Sequence, residues 1–366
     1  MTARHIKDYT IAVLGSHSAL DVCRGAKDLG FKTLVIVQKG RDKTYAKYYK
    51  SQGELGCVDE VIKLDKFSDI LSEKVQKELI RRNTIFIPHR SFEVYINDYS
   101  AIEKKFKVPM FGNRFLLKTE ERSVKPNQYD LLDKANIRYP TQFKDPKKID
   151  RLCIVKVLEK IRGFERAFFF AESFKEYQIG VAQGLGLGKF TEVQIKSAVI
   201  EEFIVGVQVN FNFFYSPVND RLELIGTDTR RQTNIEGLNK LPSIYEEYLM
   251  KKIGVKYEEA GHIAVTVLES LLEDAFSLGE KFVKASQKMV PPGVIGPFAL
   301  QTVITPGPPK KDIIVFDVSP RMPGSPGIFA TPYSGYLFGQ NISMGKRVAM
   351  EIKEAVQKGE LEKILT

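Results

Sequence analysis

With 366 residues, 43% hydrophobic and 27% charged, the chain has the composition of a globular protein large enough for two or three domains. No run reaches the ~18–20 apolar residues of a membrane span. Cys23, Cys57 and Cys153 lie far apart without any C-x-x-C or His-Cys grouping, and the start M-T-A-R-H-I-K-D carries no apolar leader. A cytoplasmic protein with reduced thiols, no structural zinc and no membrane partner is expected. The net charge of +10 is scattered, with no dense basic block, which argues against a nucleic-acid partner. Steering of small anionic substrates explains it, as does plain solubility.

Ile11–Gly15 (I-A-V-L-G) reads as a short buried strand. A Ser16-His17-Ser18 turn follows, then a helical face at Ala19, Val22, Cys23, Ala26 and Leu29, closed by Gly30. Thr33–Val37 is a second strand, which makes a β-α-β unit of a doubly wound parallel sheet. It lacks G-x-G-x-x-G, so a dinucleotide fingerprint is not supported. Glu60–Leu64 and Thr84–Pro88 extend the sheet, with a helix from Ser68 to about Arg82 between them. The segments G-S-H-S, P-H-R-S and F-G-N-R fall at strand ends, where ligands sit in open α/β sheets. His17 and His89, two of the four histidines, lie there. A structural role and contact with a phosphate-bearing ligand are even alternatives for these loops.

Asn127–Asn136 reads as a helix, and Asp145-Pro146 as a turn. Leu152–Val157 is an apolar strand carrying Lys156, whose ammonium must meet an anion such as phosphate or snorkel to water. Ala167–Phe170 returns beside it. Val199–Gly206 (V-I-E-E-F-I-V-G), the alternation from Gln208 to Phe214 and Leu222–Gly226 predict an antiparallel, half-buried sheet. Thr227–Asn234 is a polar run whose Arg230 and Arg231 suit phosphate oxygens or a solvated loop. From Gly296 to Arg321, two β-rich halves around the turn at Pro306–Pro309 predict a hairpin. It sets Gln301 opposite Asp317, with Ser319 and Arg321 leaving the second strand. Such a corner suits a metal-bound polyphosphate; an ordinary surface hairpin is the alternative.

The motifs L-G-S-H-S-A-L, P-H-R-S-F, V-P-M-F-G-N-R, I-V-K, I-E-E-F-I-V-G, N-I-E-G, G-H-I-A-V, V-P-P-G-V-I-G-P-F, V-F-D-V-S-P-R and S-M-G-K-R-V-A follow one another in this order. In that order they resemble the archaeal formate-dependent 5-formaminoimidazole-4-carboxamide ribonucleotide (FAICAR) synthetases of purine biosynthesis, which are ATP-grasp ligases. The resemblance implies an α/β plus α+β chain with three parts. These are a Rossmann-like pre-grasp domain over 1–115, linker helices and a small ATP-grasp subdomain over 116–205, and a large ATP-grasp subdomain with the hairpin over 206–366. It also implies ATP with Mg²⁺ or Mn²⁺, formate and aminoimidazole carboxamide ribonucleotide (AICAR) as substrates, formyl phosphate as intermediate, and a homo-oligomer.

Residue by residue, the resemblance implies substrate contacts from His17, Ser91 and His262, the last where the family has Asn. It implies ATP contacts from Lys156, Glu201, Glu202, Phe203, Ile204 and Gln232, the last where the family has Glu. Gln301 and Asp317 match the metal positions, and Arg230 and Arg321 are expected to be the catalytic cations. The sequence departs from the family after I-V-K, where a run of glycines is replaced by V-L-E-K-I-R-G-F-E-R (157–166) with only Gly163 retained. Lys160, Arg162 and Arg166 offer charge there instead, and Arg90 replaces the glycine of P-H-G-S-F. These departures leave two alternatives open: a paralogous ligase on a related ribonucleotide or carboxylate, and a nucleotide-binding homologue without catalysis.

Overall fold

Four apolar segments, Thr10–Leu14 (β1), Lys32–Gln38 (β2), Glu60–Leu64 (β3) and Thr84–Ile87 (β4), pair in parallel in the order β3-β2-β1-β4. Every residue of β1 and β4 is buried, as a parallel sheet covered on both faces requires. The helix Ala19–Asp28 joins β1 to β2 where the periodicity places it. The helix expected from Ser68 divides in two. A 3-10 turn over Phe67–Leu71 buries Phe67 and Ile70, and the α-helix Glu73–Arg81 starts only after Ser72. The computed structural model describes residues 5–122, 124–157, 168–253, 258–307 and 309–366.

Gln142–Phe143 (β5), Cys153–Lys156 (β6), Phe168–Ala171 (β7) and Val199–Glu202 (β8) form a small antiparallel sheet in the order β5-β8-β6-β7. The strand read as reaching Gly206 stops at Glu202. At Gly206 the chain runs so close to the neighbouring strand that a Cβ would lie 2.4 Å from the Ile304 carbonyl oxygen.

The third sheet contains Val207–Ser216 (β9), Arg221–Gln232 (β10), Glu259–Ala264 (β11), Gly296–Ile304 (β12) and Ile313–Ser319 (β13), in the order β11-β10-β9-β12-β13. Three expectations change here. The alternation from Gln208 to Phe214 does not mark a half-wet strand, because Val209–Phe214 are all buried. Phe213 packs on Phe276 of the helix Leu272–Met289, while Phe214 faces Phe111 and the Arg347 guanidinium. The polar run after Gly226 is no loop, since β10 continues through Arg230 to Gln232. Nor is the hairpin a surface ribbon: β12 pairs with β9 as well as β13, so Gln301 stands between Asn210 and Asp317.

The C-terminal helix Met344–Lys358 returns to the first sheet. A Cβ on Gly25 would lie 2.3 Å from the Lys346 amide nitrogen, and one on Gly345 would lie 2.3 Å from the Asp21 carbonyl oxygen. Two glycines therefore let this helix meet Ala19–Asp28 backbone to backbone. Arg347, buried on the inner face of this helix, donates to Glu223 and Glu351. The three cysteines are free and buried. Among the described residues no helix is long and apolar enough to cross a membrane.

Candidate active site

Two of the three strand-end loops meet where the sequence predicts, at the C-terminal ends of β1 and β4. His17, held at a φ of 52°, stacks on His89 with ring centroids 5.3 Å apart. The Ser91 hydroxyl donates to Ser16 at 3.0 Å. Burial, then the cations and rings around it (His89, Arg321, His262, Arg90), hold His17 down at about 2. His89 hydrogen-bonds the Leu14 carbonyl through Nε2 at 2.8 Å, and burial lowers it to about 4. Both rings are neutral at physiological pH, so they offer hydrogen bonds rather than charge.

The third loop, F-G-N-R, does not join them. Arg114 turns inward and donates to the carbonyls of Phe106, Val108 and Thr366, while Asn113 donates to those of Val290 and Gly293. Arg114 thereby ties Thr366 to the segment 106–108, which corrects the reading of this loop as part of the ligand edge.

Arg321 leaves β13 directly into this cluster. Its Nη2 donates to Glu120 at 2.8 Å, and its Nε lies 3.4 Å from buried Glu93. Burial and then Glu120 raise the Glu93 pKa, against the pull of Arg321 and Arg90. Arg90 pairs with Glu93, Glu120 and Glu121. Arg90 is thus held in an acidic cluster.

On the large sheet, Arg230 donates to the Gln301 carboxamide oxygen at 2.6 Å, and the Gln301 nitrogen donates to Ser319 at 3.2 Å. Asp317 accepts from Gln128 at 2.9 Å. Next to Arg230, His262 presents Nδ1 to Asp228 at 2.5 Å and to Ser325 at 2.9 Å, and Nε2 to Glu259 at 2.8 Å. Burial opposes a charge on this ring, yet the Asp228 and Glu259 carboxylates raise it to about 9. Asn210 and Asn212 fix the Asp228 carboxylate from below. The segment 323–325 ties both halves together. Ser18 donates to the Pro323 carbonyl, a Cβ on Gly324 would lie 2.7 Å from His17 Nε2, and Ser325 touches His262.

A second group sits on the small sheet. Lys156 pairs with Glu201 across β6 and β8. Alternation sends Glu202 to the other face, where it accepts from the Thr141 amide at 3.1 Å and faces Arg138 and Arg151. Phe203 is exposed and packs edge-on against Phe170 at 4.8 Å, with Ile204 half-buried beside it. Gln232 ends β10, its backbone N–H donating to the Glu236 carboxylate at 2.6 Å. Lys160, Arg162, Gly163 and Arg166 of the altered loop lie outside the described residues.

The structure therefore joins His17, Ser91, Arg230, His262, Gln301 and Arg321 with Asp317 close by, and groups Lys156 with Glu201 separately. The sequence reading missed Asp228, Glu93, Glu120, Gln128, Glu259 and Ser325. The period-two spacing of Asn210 and Asn212 was a usable signal for the polar face beneath His262. The metal test is one of donor chemistry: Asp317 and Gln301 are hard oxygen donors on facing strands, which suits a Mg²⁺ that keeps phosphate and water oxygens. Among the described residues no group of three His, Cys, Asp or Glu forms a metal cage.

Residues 176–366 match the family model described as Domain of unknown function (DUF1297), and residues 11–143 match Protein of unknown function (DUF1246). The 5-formaminoimidazole-4-carboxamide-1-(beta)-D-ribofuranosyl 5'-monophosphate synthetase of Methanothermobacter thermautotrophicus is 40% identical over 362 residues, covering 98% of this chain and 95% of that protein. The crystal structure of an IMP biosynthesis protein PurP from Thermococcus kodakaraensis has a TM-score of 0.71 at 28% identity, covering 97% of this chain and 100% of that one. An ADP complex of the N5-carboxyaminoimidazole ribonucleotide synthetase purK is alike in fold alone, with a TM-score of 0.58 at 15% identity over 89% of this chain and 74% of that one. With the fold, the motif order and near-full-length identity in agreement, the chain belongs to the family of 5-formaminoimidazole-4-carboxamide ribonucleotide synthetases, on the ATP-grasp fold.

Proposed function

We propose that this chain is an ADP-forming ligase that formylates AICAR to FAICAR with ATP and formate. The observation that carries the proposal is the corner where Gln301 faces Asp317 and is bonded by Arg230 and Ser319, with Arg321 two residues further along the chain from Ser319. Both arginines bury an Nε that makes no hydrogen bond among the described residues and has only a carboxylate oxygen 3.4 Å away, Glu259 for Arg230 and Glu93 for Arg321. Buried guanidinium donors left without a hydrogen bond are costly, and an anionic ligand would satisfy them.

In this reading a formate oxygen attacks the γ-phosphorus of ATP, ADP leaves, and formyl phosphate forms. The 5-amino nitrogen of AICAR then attacks the formyl carbon, phosphate leaves and the nitrogen loses a proton. Neither step needs a protein nucleophile. The chain's work is to position the groups and neutralise charge on the transferring phosphoryl. Arg230 and Arg321 supply fixed positive charge, and imidazolium His262 adds to it. Neutral His17 and the Ser91 hydroxyl hydrogen-bond the ribonucleotide. Lys156 reaches ATP phosphate once it leaves Glu201, while Phe203 and Ile204 flank the base and Gln232 borders the nucleotide; Glu202, turned to the opposite face toward Arg138 and Arg151, does not join them. Asp317 and Gln301 would hold Mg²⁺, which when bound neutralises charge on the phosphates.

The reading includes the three domains bounded near residues 115 and 205, a homo-oligomer and a cytoplasmic location. It is tested by ADP release from the purified protein with ATP and Mg²⁺, which must require both formate and AICAR.

A further inference from the structure

Strand residues three apart face opposite sides of a sheet, because the side-chain period is two. Glu259 and His262 are three apart on β11, yet their side chains meet: Glu259 Oε1 lies 2.8 Å from His262 Nε2. The cause is a break in the ladder. Arg231 pairs with Gly261, but Gln232 pairs with Glu259, so β11 has an extra residue there, and Gly261 adopts a φ of +154°. A bulge of this kind re-aims a side chain, and here it brings Glu259 onto the face of His262. A residue with a Cβ rarely takes that backbone angle, so Gly261 helps to make the placement.

The other Glu259 oxygen lies 3.4 Å from Arg230 Nε. Its carboxylate is thus held by an imidazolium and a guanidinium, with Arg321 acting on it from further off. A small external oxyanion would choose the same position. The fit is incomplete, since Arg230 Nε makes no hydrogen bond among the described residues. The two carboxylates on His262 also differ in kind. Asp228 is 1% exposed and pinned by Asn210 and Asn212, whereas the Glu259 side chain is 43% exposed.

We propose that Glu259 is a displaceable placeholder, whose carboxylate occupies between His262 and Arg230 the position taken by an anionic oxygen of the small carboxylate substrate or its acyl phosphate. The proposal rests on the ligase reading above, and deepens it by naming where the substrate oxyanion sits. An internal competitor lowers apparent affinity by the fraction of sites it leaves free. Removing its charge must therefore tighten anion binding, the opposite of what removing a substrate-binding or catalytic residue does.

The test uses the full chain as wild type, Glu259→Gln and Glu259→Ala. Inorganic phosphate binding is measured by calorimetry, and the KM for formate from ADP release at saturating ATP and AICAR. Both variants are expected to bind phosphate at least ~3-fold tighter, with the KM for formate lowered by a similar factor while the KM for ATP stays put. Unchanged or weaker phosphate binding in both variants, with melting curves like the wild type, overturns the placeholder. A higher KM for formate or a collapse of kcat also overturns it, and makes Glu259 a direct participant. Tighter phosphate binding without formate-dependent turnover in any of the three proteins keeps the placeholder and rejects the formate reading instead.

Discussion

Arg230 donates a 2.6 Å hydrogen bond to the Gln301 carboxamide oxygen, so the amide that faces Asp317 across the hairpin is held by a cation. A metal ion drawing on that oxygen must share it with Arg230 or turn the guanidinium toward the phosphates. In the proposed reading Arg230 sits where negative charge develops. Arg230→Ala is predicted to lower kcat by roughly 10²–10³ with little loss of melting temperature, because preorganised donors aimed at transition-state charge are worth that much. Arg230→Lys should recover only a small part, since a point charge cannot hold Gln301 and a phosphate oxygen together. Steady-state ADP formation decides both.

Lys156 and Glu201 form the second prediction. Glu201 is buried and its cation in this structure is Lys156. In the proposed reading the lysine is shared between that carboxylate and ATP. Lys156→Ala should raise the Kd for ATP about tenfold, or about 1.4 kcal/mol, while AICAR binding is unchanged. Titration calorimetry with each nucleotide checks this. An equal loss for both ligands would mean that the variant disturbs the fold rather than the nucleotide site.

The histidines predict how stability changes with pH. His17 and His89, lowered from 6.5 to about 2 and about 4, withhold protons that the unfolded chain accepts. Stability from them is present above pH 6.5 and is lost as pH falls. His262 is raised from 6.5 to about 9, so its contribution is full below pH 6.5 and is lost as pH rises through about 9. Glu93, raised by burial and Glu120, works in the same direction as His262 from a lower starting pH. The melting-temperature gap between wild type and His262→Asn should therefore be largest below pH 6.5 and close by about pH 9–10. A gap that is flat or widens with pH would contradict the pairing of His262 with Asp228 and Glu259.

Arg347 tests the core. It is 2% exposed, donates to Glu223 and Glu351, and lies 4.0 Å over the Phe214 ring. Arg347→Ala leaves two buried carboxylates without their shared cation and is predicted to cost about 3–5 kcal/mol in denaturant unfolding. Restoring shape without charge, in Arg347→Met with Glu223→Gln and Glu351→Gln, should recover much of that loss.

How much of this was legible in the sequence depended on whether the hydrophobic pattern was intact. Glu60–Leu64 was readable residue for residue, as was the pairing of Gln301 with Asp317, because apolar runs bounded by turn residues fix a strand and its register. The pattern failed where function interrupts it. Asp228, Arg230 and Arg231 make β10 look like a loop, although it is an inner strand carrying site residues. Glu259 was invisible for a sharper reason: spacing places it opposite His262, and only the bulge at Gly261 reverses that. The F-G-N-R loop looked like a third ligand loop, because sequence cannot tell an arginine that binds an anion from one that binds backbone carbonyls.

The central claim is that this chain activates formate with ATP and delivers it to AICAR. The most direct measurement follows carbon-13-labelled formate in a reaction of purified protein with ATP, Mg²⁺ and AICAR, with ADP quantified in the same tubes. The label is expected in the formamido carbon of FAICAR, with one ADP for each FAICAR, and both are expected to be lost when formate or AICAR is left out. ADP release that ignores formate, or tight ATP binding with no labelled product, would contradict that claim.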